Sequence, residues 1–200
     1  VWPEGVTKLG EKLFYQCSGL VSVEIPEGVT TIETQAFSKC SGLTSVSIPS
    51  TVTEIGNYAF SECSGLASVT IPEGVTSIGE GAFNMCTGLT SVTIPEGVTS
   101  IGDNAFSNCT SLNPLTVPNT VTTIGSYAFR HIPKVIYGGT ATGSPWGATE
   151  VVAPKTPGFY SSDDQLIKAM TKEEVETNYT ESNFPSETNA EIKNATEFVW

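Results

Sequence analysis

The sequence predicts an α/β solenoid, rich in β-strand and right-handed, in which short parallel strands stack through coils of about 23 residues. Three features that recur at this one interval predict it. The dipeptides Ile-Pro and Ala-Phe return at the same step along the chain, and so do all five cysteines, which are Cys17, Cys40, Cys63, Cys86 and Cys109. A fixed period of roughly 20 to 50 residues is typical of a solenoid, whose units bury their apolar sides only by stacking on neighbours.

Each coil is predicted to begin with a short strand that ends at a proline. In residues 44–48 polar and apolar side chains alternate, which places the β-branched Val46 and Ile48 on the inner face. Pro49 ends this strand, and in most coils the sequence continues Pro-Glu-Gly, which fits a type I turn. The chain is therefore expected to change direction directly after each strand.

The second half of the coil is expected to return to the interior and then form one compact turn. Val52 and Ile55 are placed inside, and residues 57–63 are predicted to form a single helical or 3₁₀ turn. That turn would bury the Ala59-Phe60 dipeptide together with Cys63. About six such coils and a closing segment account for residues 1–150 as one solenoid.

Residues 151–200 are predicted to be a separate C-terminal extension, because the repeat stops at Val151 and the composition becomes acidic. Ser162–Gln165 and Thr171–Glu174 resemble capping boxes, so a short helical extension is expected, with a second helix from about Ser186 towards Trp200. The extension is either a cap on the solenoid or a linker to another domain. The apolar residues expected to face the solenoid are Leu166, Ile167, Met170 and Val175.

The charge balance argues against two classes of partner. The chain carries 21 acidic and 9 basic residues, a formal net charge of −12, and no basic cluster. Nucleic acid and anionic membrane surfaces are bound by clustered lysine and arginine, so neither is an expected partner. The apolar runs are also shorter than the roughly 18 residues that a membrane span needs, so no direct insertion of this segment is expected.

The evenly spaced cysteines have three readings. Stacked coils could bring two cysteines within reach of a disulfide, but an odd number beside the Ala-Phe dipeptide favours small apolar thiols buried in the core. Zinc sites need paired ligands such as Cys-x-x-Cys, which do not occur. Buried free thiols are the preferred prediction, disulfides are the alternative, and no metal site is expected.

No catalytic or cofactor-binding residue is predicted. His131 is the only histidine, and its setting in Arg-His-Ile-Pro after the last core turn favours a surface or capping residue. No phosphate-binding loop, dinucleotide motif or His-Glu-x-x-His occurs. An exposed acidic row is expected, with a solvated edge favoured over weak cation binding, at Glu4, Glu27, Glu73 and Glu96.

The repeat unit resembles a known family. The pattern Leu-x-x-Val-x-Ile-Pro-x-x-Val-x-x-Ile-Gly-x-x-Ala-Phe-x-x-Cys is similar to the BspA-like leucine-rich repeat of bacterial and some protist cell-surface proteins, over residues 2 to about 138. Residues 135–148 also resemble the segment that closes such arrays. The resemblance implies an α/β leucine-rich repeat solenoid that is secreted or attached to the cell surface. Val1 opens in mid-repeat, so further sequence is expected upstream.

Two functions remain open at this stage. The resemblance implies recognition or adhesion, with a protein or another surface macromolecule as partner, whereas the uniform outward side chains favour a rigid spacer between other domains. Possible ligand-binding residues fall into two groups. The strand face offers Ser45, Ser47, Ser68, Thr70, Ser91 and Thr93, and the C-terminal segment offers Tyr137, Trp146 and Tyr160. The aromatic group is expected to supply specificity, because aromatic anchors usually dominate protein interfaces.

Overall fold

The computed structural model describes residues 2–143 and 145–153, and the backbone of three further strands at 158–160, 166–169 and 197–199. The chain divides into two compact units, Val1–Ala153 and Pro154–Trp200. The first unit is a solenoid of about six coils, as the repeat predicts.

Each coil of the solenoid contributes two short strands to two separate sets. The set that follows each run of turns comprises β2 (Ser22–Glu24), β4 (Ser45–Ser47), β6 (Ser68–Thr70), β8 (Ser91–Thr93), β10 (Leu115–Thr116) and β12 (Lys134–Ile136). The other set comprises β1 (Lys8–Leu9), β3 (Thr31–Ile32), β5 (Glu54–Ile55), β7 (Ser77–Ile78), β9 (Ser100–Ile101) and β11 (Thr123–Ile124). All pairs within both sets are parallel, and Ser22 pairs with Ser45 as Lys8 pairs with Thr31. The predicted solenoid of parallel strands is thereby confirmed, and the step is 23 residues for every pair in the two sets except β10–β12, where Leu115 pairs with Val135, 20 residues later.

The two sets differ in continuity. The two-residue strands form one six-stranded sheet in the order β1-β3-β5-β7-β9-β11. The other set is interrupted and forms the groups β2-β4, β6-β8 and β10-β12-β13, where β13 is Glu150–Val152. One interruption lies between β8 and β10. Pro114, the residue directly before β10, is exposed and has no N–H to donate to the neighbouring strand. The missing N–H of Pro114 therefore gives a physical reason for this interruption.

The segment predicted to be a helical turn is a run of tight turns, and this corrects the α/β class. The N–H groups of Ala59, Ser61 and Cys63 donate to carbonyls three residues earlier. The intervening N–H groups of Tyr58, Phe60 and Glu62 donate to the next coil, at Glu80, Ala82 and Asn84. Tyr58 and Glu62 have φ angles of 55° and 60°, a left-handed conformation that an α-helix excludes. The described part of the solenoid is therefore built from strands and turns alone.

A column of phenylalanine rings forms the centre of the core. Phe37, Phe60, Phe83, Phe106 and Phe129 have no exposed surface. Consecutive rings of the first four stack with centroids 5.1 to 5.4 Å apart, and the last pair lies at 6.5 Å. Stacking of this kind adds about 0.5 to 1.5 kcal/mol per pair beyond area burial. The repeated Ala-Phe dipeptide thus links each coil to the next.

A column of thiols runs beside the phenylalanine column. Cys40, Cys63, Cys86 and Cys109 are buried, which confirms that prediction for four of the five cysteines. Each thiol donates to a phenylalanine carbonyl of the preceding coil at 3.0 to 3.1 Å. Cys17 is exposed, so the prediction of burial is wrong for this residue, because its coil has no described coil before it to cover the thiol.

The described parts of the second unit form an antiparallel sheet and not a helix. It contains β14 (Gly158–Tyr160), β15 (Leu166–Ala169) and β16 (Glu197–Val199), in the order β15-β14-β16. Leu166 and Ile167, predicted to be helical, lie in β15, and the end of the second predicted helix lies in β16. Backbone pairing with β14 overrides local helix propensity here. The predicted capping boxes, Met170 and Val175 lie outside the described residues.

Candidate functional site

The predicted strand-face residues lie together on one exposed surface, which we call the hydroxyl face. It consists of the outward side chains of three consecutive strands in the set, Ser45, Ser47, Ser68, Thr70, Ser91 and Thr93. All six are exposed, while Val46, Val69 and Val92 between them point inward and pack on the core. Ser68 pairs with Ser91 and Thr70 with Thr93, so the hydroxyls of β6 and β8 lie in register, while β4 pairs with β2 instead.

The hydroxyl face is chemically uniform. Each of its side chains can donate one hydrogen bond and accept others, and successive strands place the hydroxyls about 4.8 Å apart along each row. None of the six carries a charge or a ring. Glu24 in β2 brings the first charge, at the N-terminal end of the rows. The face therefore suits a polar, hydrogen-bonding partner surface better than an apolar one.

The predicted aromatic residues lie differently. Tyr137 and Trp146 are 6% and 5% exposed, so both belong largely to the core. The Trp146 ring stands edge-on to Phe129 at 6.0 Å and to Tyr137 at 5.6 Å. Its Nε1 donates to the Thr142 carbonyl at 2.9 Å. The Tyr160 side chain lies outside the described residues, and a binding role for the three aromatic residues stays a prediction.

The Tyr137 hydroxyl connects the closing segment to the body of the solenoid. It donates to the Val121 carbonyl and accepts the Ala141 N–H at 2.9 Å. Gly138 N–H donates to the Asn119 side chain at 3.0 Å in the same corner. These bonds hold residues 137–141 against the last full coil, so the burial of Tyr137 has a structural reason.

The closing segment covers two sides of the last coil but not the third. Val135 of β12 pairs with Val151 of β13, so the last step along the chain is shorter than the constant step of the body. On the turn side, the carbonyls of Trp146 and Gly147 accept the N–H groups of Phe129 and His131, at 3.0 and 3.2 Å. The shortened coil contributes no strand to the six-stranded sheet, in which β11 is the last strand.

A groove of about 430 Å³ lies beside β11 where a seventh strand would continue the sheet. We call it the β11 groove. Sequence reasoning missed it, and the signal that could have indicated it is the shortened repeat. Tyr127 is 59% exposed at its wall, with the Arg130 guanidinium 5.8 Å from the ring centroid. The groove is lined by Ile124, Ser126, Tyr127, Thr142, Gly143, Pro145, Trp146 and Gly147.

A second groove, of about 380 Å³, lies on the outer face of the six-stranded sheet and is polar. Lys8 and Glu33 meet there at 3.8 Å, with both side chains exposed, so their pairing contributes little. The predicted acidic row at Glu4, Glu27, Glu73 and Glu96 is exposed. Among the described residues no three histidine, cysteine or acidic side chains cluster as metal ligands would.

The thiols and the histidine are placed as structural groups. Burial raises the pKa of Cys40 to about 11 and those of Cys63 and Cys109 to about 12, so these thiols stay protonated at neutral pH. The pKa of Cys86 is also raised well above its ordinary value by burial. His131 is exposed, with its Nδ1 2.7 Å from the Asn108 side-chain oxygen. The buried thiols therefore contact backbone carbonyls, and His131 contacts a side-chain amide, rather than a partner nucleophile or base.

Comparison with known proteins identifies similarity to the repeat region of the chain. Residues 3–136 match the profile of the BspA type leucine rich repeat region, in six copies. A leucine rich cell surface protein from Faecalibacterium prausnitzii A2-165 is 40% identical, with a TM-score of 0.62, over 67% of this chain and 37% of that one. The leucine rich repeat protein of T. pallidum is 37% identical, with a TM-score of 0.56, over 58% of each chain.

These similarities are partial on both sides. The chain spans 37% and 58% of the lengths of the two solved proteins that it matches. No curated protein matches the sequence. In the part of the chain that the structure describes, there is no helix with the length and apolar character needed to cross a bilayer.

Proposed function

We propose that this chain, which belongs to the BspA-type leucine-rich repeat family, is a secreted or cell-surface module that recognises another macromolecule and acts in adhesion. The observation that carries the proposal is the hydroxyl face. Six exposed hydroxyls lie on three successive strands, in register on β6 and β8, over a buried core. Such a face offers a preorganised surface to a protein partner.

The rigidity of the scaffold supports recognition. The coils are joined by turns whose N–H groups bond alternately within the coil and to the next coil. The valines below the hydroxyl face lie in or against the same core cluster as the phenylalanine column. A surface that is already ordered loses little conformational freedom on binding, so weak individual contacts can add up to useful affinity.

Similarity supports a location at the cell surface, and the net charge narrows the class of partner. The F. prausnitzii protein is described as a cell surface protein. The net charge of −12 disfavours binding to nucleic acid or to an anionic membrane. We therefore place the partner among proteins or other macromolecules outside the cell, and we assign the chain a binding and not a catalytic role.

A rigid spacer is the second candidate function. The uniformity of the hydroxyl face favours it, because rows of serine and threonine contain none of the Trp, Tyr or Arg anchors that dominate most protein interfaces. A spacer needs a stiff, soluble body and no partner. The two functions therefore differ in whether changes on the hydroxyl face matter.

Arginine substitutions on the hydroxyl face test the proposal. A variant with Ser45→Arg and Thr70→Arg would place two long cations among the hydroxyls and block close approach. Ser77→Arg is the matched control, because Ser77 is an exposed serine on the six-stranded sheet. Binding would be measured by biolayer interferometry against purified extracellular proteins and by attachment of intact cells to a coated surface.

The expected result is micromolar binding by the wild-type chain that the double variant loses and the control keeps. Binding that survives the double variant would move the site elsewhere. A wild-type chain that binds nothing in either assay, while it remains folded by circular dichroism, would favour the spacer.

A further inference from the structure

We propose that the β11 groove binds an extended peptide segment of a partner protein as a seventh parallel strand of the six-stranded sheet. The inference rests on the proposed recognition of a protein, and it adds where the partner binds, in which conformation and in which register. Addition of a strand to an open sheet edge is a general mode of peptide recognition, in which backbone bonds supply affinity and side-chain pockets supply specificity.

The backbone of the last coil presents the groups through which earlier coils bind their successors. Gly102 N–H bonds Ile78 O at 2.9 Å and Gly125 N–H bonds Ile101 O at 2.8 Å, so Ile124 O is the next acceptor in the series. Thr122 N–H bonds Thr99 O at 2.9 Å, which makes Thr122 O the second acceptor.

The third group is a donor on the other side of the groove. Gly81 N–H bonds Asp103 O at 2.8 Å and Asn104 N–H bonds Ser126 O at 3.0 Å, so Tyr127 N–H is next in this series. Within the described residues, Thr122 O, Ile124 O and Tyr127 N–H make no hydrogen bond. Unpaired groups of this kind at a sheet edge are a template for another strand.

These three groups define the register of a five-residue peptide. Its first N–H would donate to Thr122 O, its fourth N–H would donate to Ile124 O, and its fifth carbonyl would accept from Tyr127 N–H. The spacing follows from the bonds between consecutive coils, in which Thr122, Gly125 and Ser126 fill the first, fourth and fifth positions.

The side chains in the groove specify two positions of the peptide. Ile124 is 9% exposed, whereas the isoleucines before it in the sheet are at most 1% exposed: Ile32, Ile55, Ile78 and Ile101. The third residue of the peptide would lie over Ile124, so an isoleucine or valine there would complete the apolar row. Burial of such a side chain is favourable in proportion to the apolar area covered.

The fourth position favours glycine. In the body of the sheet a Cβ at Gly102 would lie 2.7 Å from the backbone nitrogen of Glu80, and a Cβ at Gly79 would lie 2.7 Å from the Gly56 carbonyl carbon. A peptide strand in the same register meets the same close backbone approach. The partner segment is therefore an extended stretch with an Ile-Gly or Val-Gly pair at its third and fourth positions.

The closing segment leaves room for a single bound strand but blocks the stacking of a whole further coil. Trp146 O and Gly147 O already occupy the N–H groups of Phe129 and His131, where the turns of a stacked coil would bind. The N-terminal coil of a second copy of this chain would meet that segment. A single extended peptide needs only the β11 edge, which the segment leaves open.

A peptide with the sequence of residues 97–104, Gly-Val-Thr-Ser-Ile-Gly-Asp-Asn, is the probe, because this stretch contains β9 and makes the required bonds within the solenoid. It would be titrated into the ¹⁵N-labelled full chain and followed by NMR. We expect saturable one-to-one binding, with shifted amides confined to residues 122–127, 142–143 and 146–147.

Two controls test the register. Replacing the peptide glycine that matches Gly102 by N-methylglycine removes the donor to Ile124 O, and loss of one such bond should weaken binding by roughly threefold to tenfold. Tyr127→Ala should also weaken binding, whereas Tyr58→Ala, at the matched position three coils earlier, should not.

Several results would overturn the inference. These are absence of saturable shifts, equal binding of the N-methylated peptide, shifts centred on β1, or concentration-dependent self-association of the chain at the β11 groove. A chain that binds an extracellular protein through the hydroxyl face but ignores the peptide would refute this inference and leave the proposed function intact. A chain that binds the peptide but attaches to no protein or cell would do the reverse.

Discussion

The two ends of the solenoid use the same aromatic device with different results. Trp2 stands edge-on to Phe14 at 5.7 Å and 87°, and Trp146 stands edge-on to Phe129 at 6.0 Å and 85°. Yet Phe129 has no exposed surface, whereas Trp2 and Phe14 are only half-buried. The N-terminal coil also exposes Leu13 and Val21, by 50% and 60%.

The difference between the ends lies in the backbone. At the C-terminal end, residues 146–152 supply carbonyls to the turn side and a strand to the β10-β12-β13 sheet. At the N-terminal end, Trp2 donates one bond from its indole to Glu24 O at 2.7 Å. The closing segment at the C-terminal end thus adds backbone groups in register to the edge-on ring.

The largest expected effect separates the middle of the column from its open end. Phe83→Ala should destabilise the protein by about 3 to 5 kcal/mol, because it leaves a cavity between two stacked rings. Phe14→Ala should cost clearly less, since its ring is half-buried. Urea unfolding followed by circular dichroism would measure both, and equal losses would mean that the two ends of the column are energetically alike.

The next effect compares the two tryptophans directly. Trp146→Ala should lower the free energy of unfolding by about 3 kcal/mol or more. The substitution removes a large buried ring, and this ring anchors the closing segment on the last full coil. Trp2→Ala should cost roughly half as much or less, in line with its exposure. The same unfolding experiment applies, and a greater loss for Trp2→Ala would reverse the comparison.

A third prediction concerns alkaline pH. Folding raises the pKa of Cys63 and Cys109 from 9.0 to about 12, so the folded state holds these protons more tightly than the unfolded state. The contribution of these two protonated thiols to the free energy of unfolding is complete below pH 9 and is lost as the pH rises towards 12. Stability should therefore fall progressively above pH 9, and a Cys63→Ala, Cys109→Ala variant should lose less over that range. An equal slope in wild type and variant would contradict the role of the thiols.

The smallest effect concerns the thiol at the open end. Iodoacetamide at pH 8 should label Cys17 alone in the native protein and all five cysteines after denaturation, because four thiols are buried. Labelling Cys17 should change the unfolding free energy by less than about 0.5 kcal/mol, as for other surface changes. Mass spectrometry would count the labels, and native labelling of Cys86 would show that the column is open.

The repeat predicts the body of the fold because its positions are physically equivalent. Ala-Phe and Cys recur where stacked coils leave the same space, so the burial of Phe60 or Cys63 can be inferred from the period alone. The two-residue strands were missed, because a run of that length carries no alternation to detect. Their signal is the Thr-x-Ile triplet that begins at Thr30, Thr53, Thr76, Thr99 and Thr122, with a glycine directly after each of the last four.

The candidate site was predicted in part for the same reason. Alternation along β4, β6 and β8 is enough to place the serine and threonine hydroxyls outside. For Tyr137 and Trp146 the sequence shows two rings near the end of a repeat but not which way they point. Their burial depends on the shortened coil, and the strands β15 and β16 depend on pairing with β14, which local propensity does not encode.

The alternating bonds of the turns also bear on how such a chain can change in length. Every coil in the body offers its successor the same donors and acceptors at the same step along the chain, so one whole coil can be duplicated or deleted without altering either terminus. Each duplication would lengthen the rod by about 4.8 Å. Insertion of a single residue directly before an Ala-Phe dipeptide would put alanine opposite phenylalanine and break the column. The length of the solenoid therefore changes in steps of one whole coil, up to the closing segment, which does not follow the repeat.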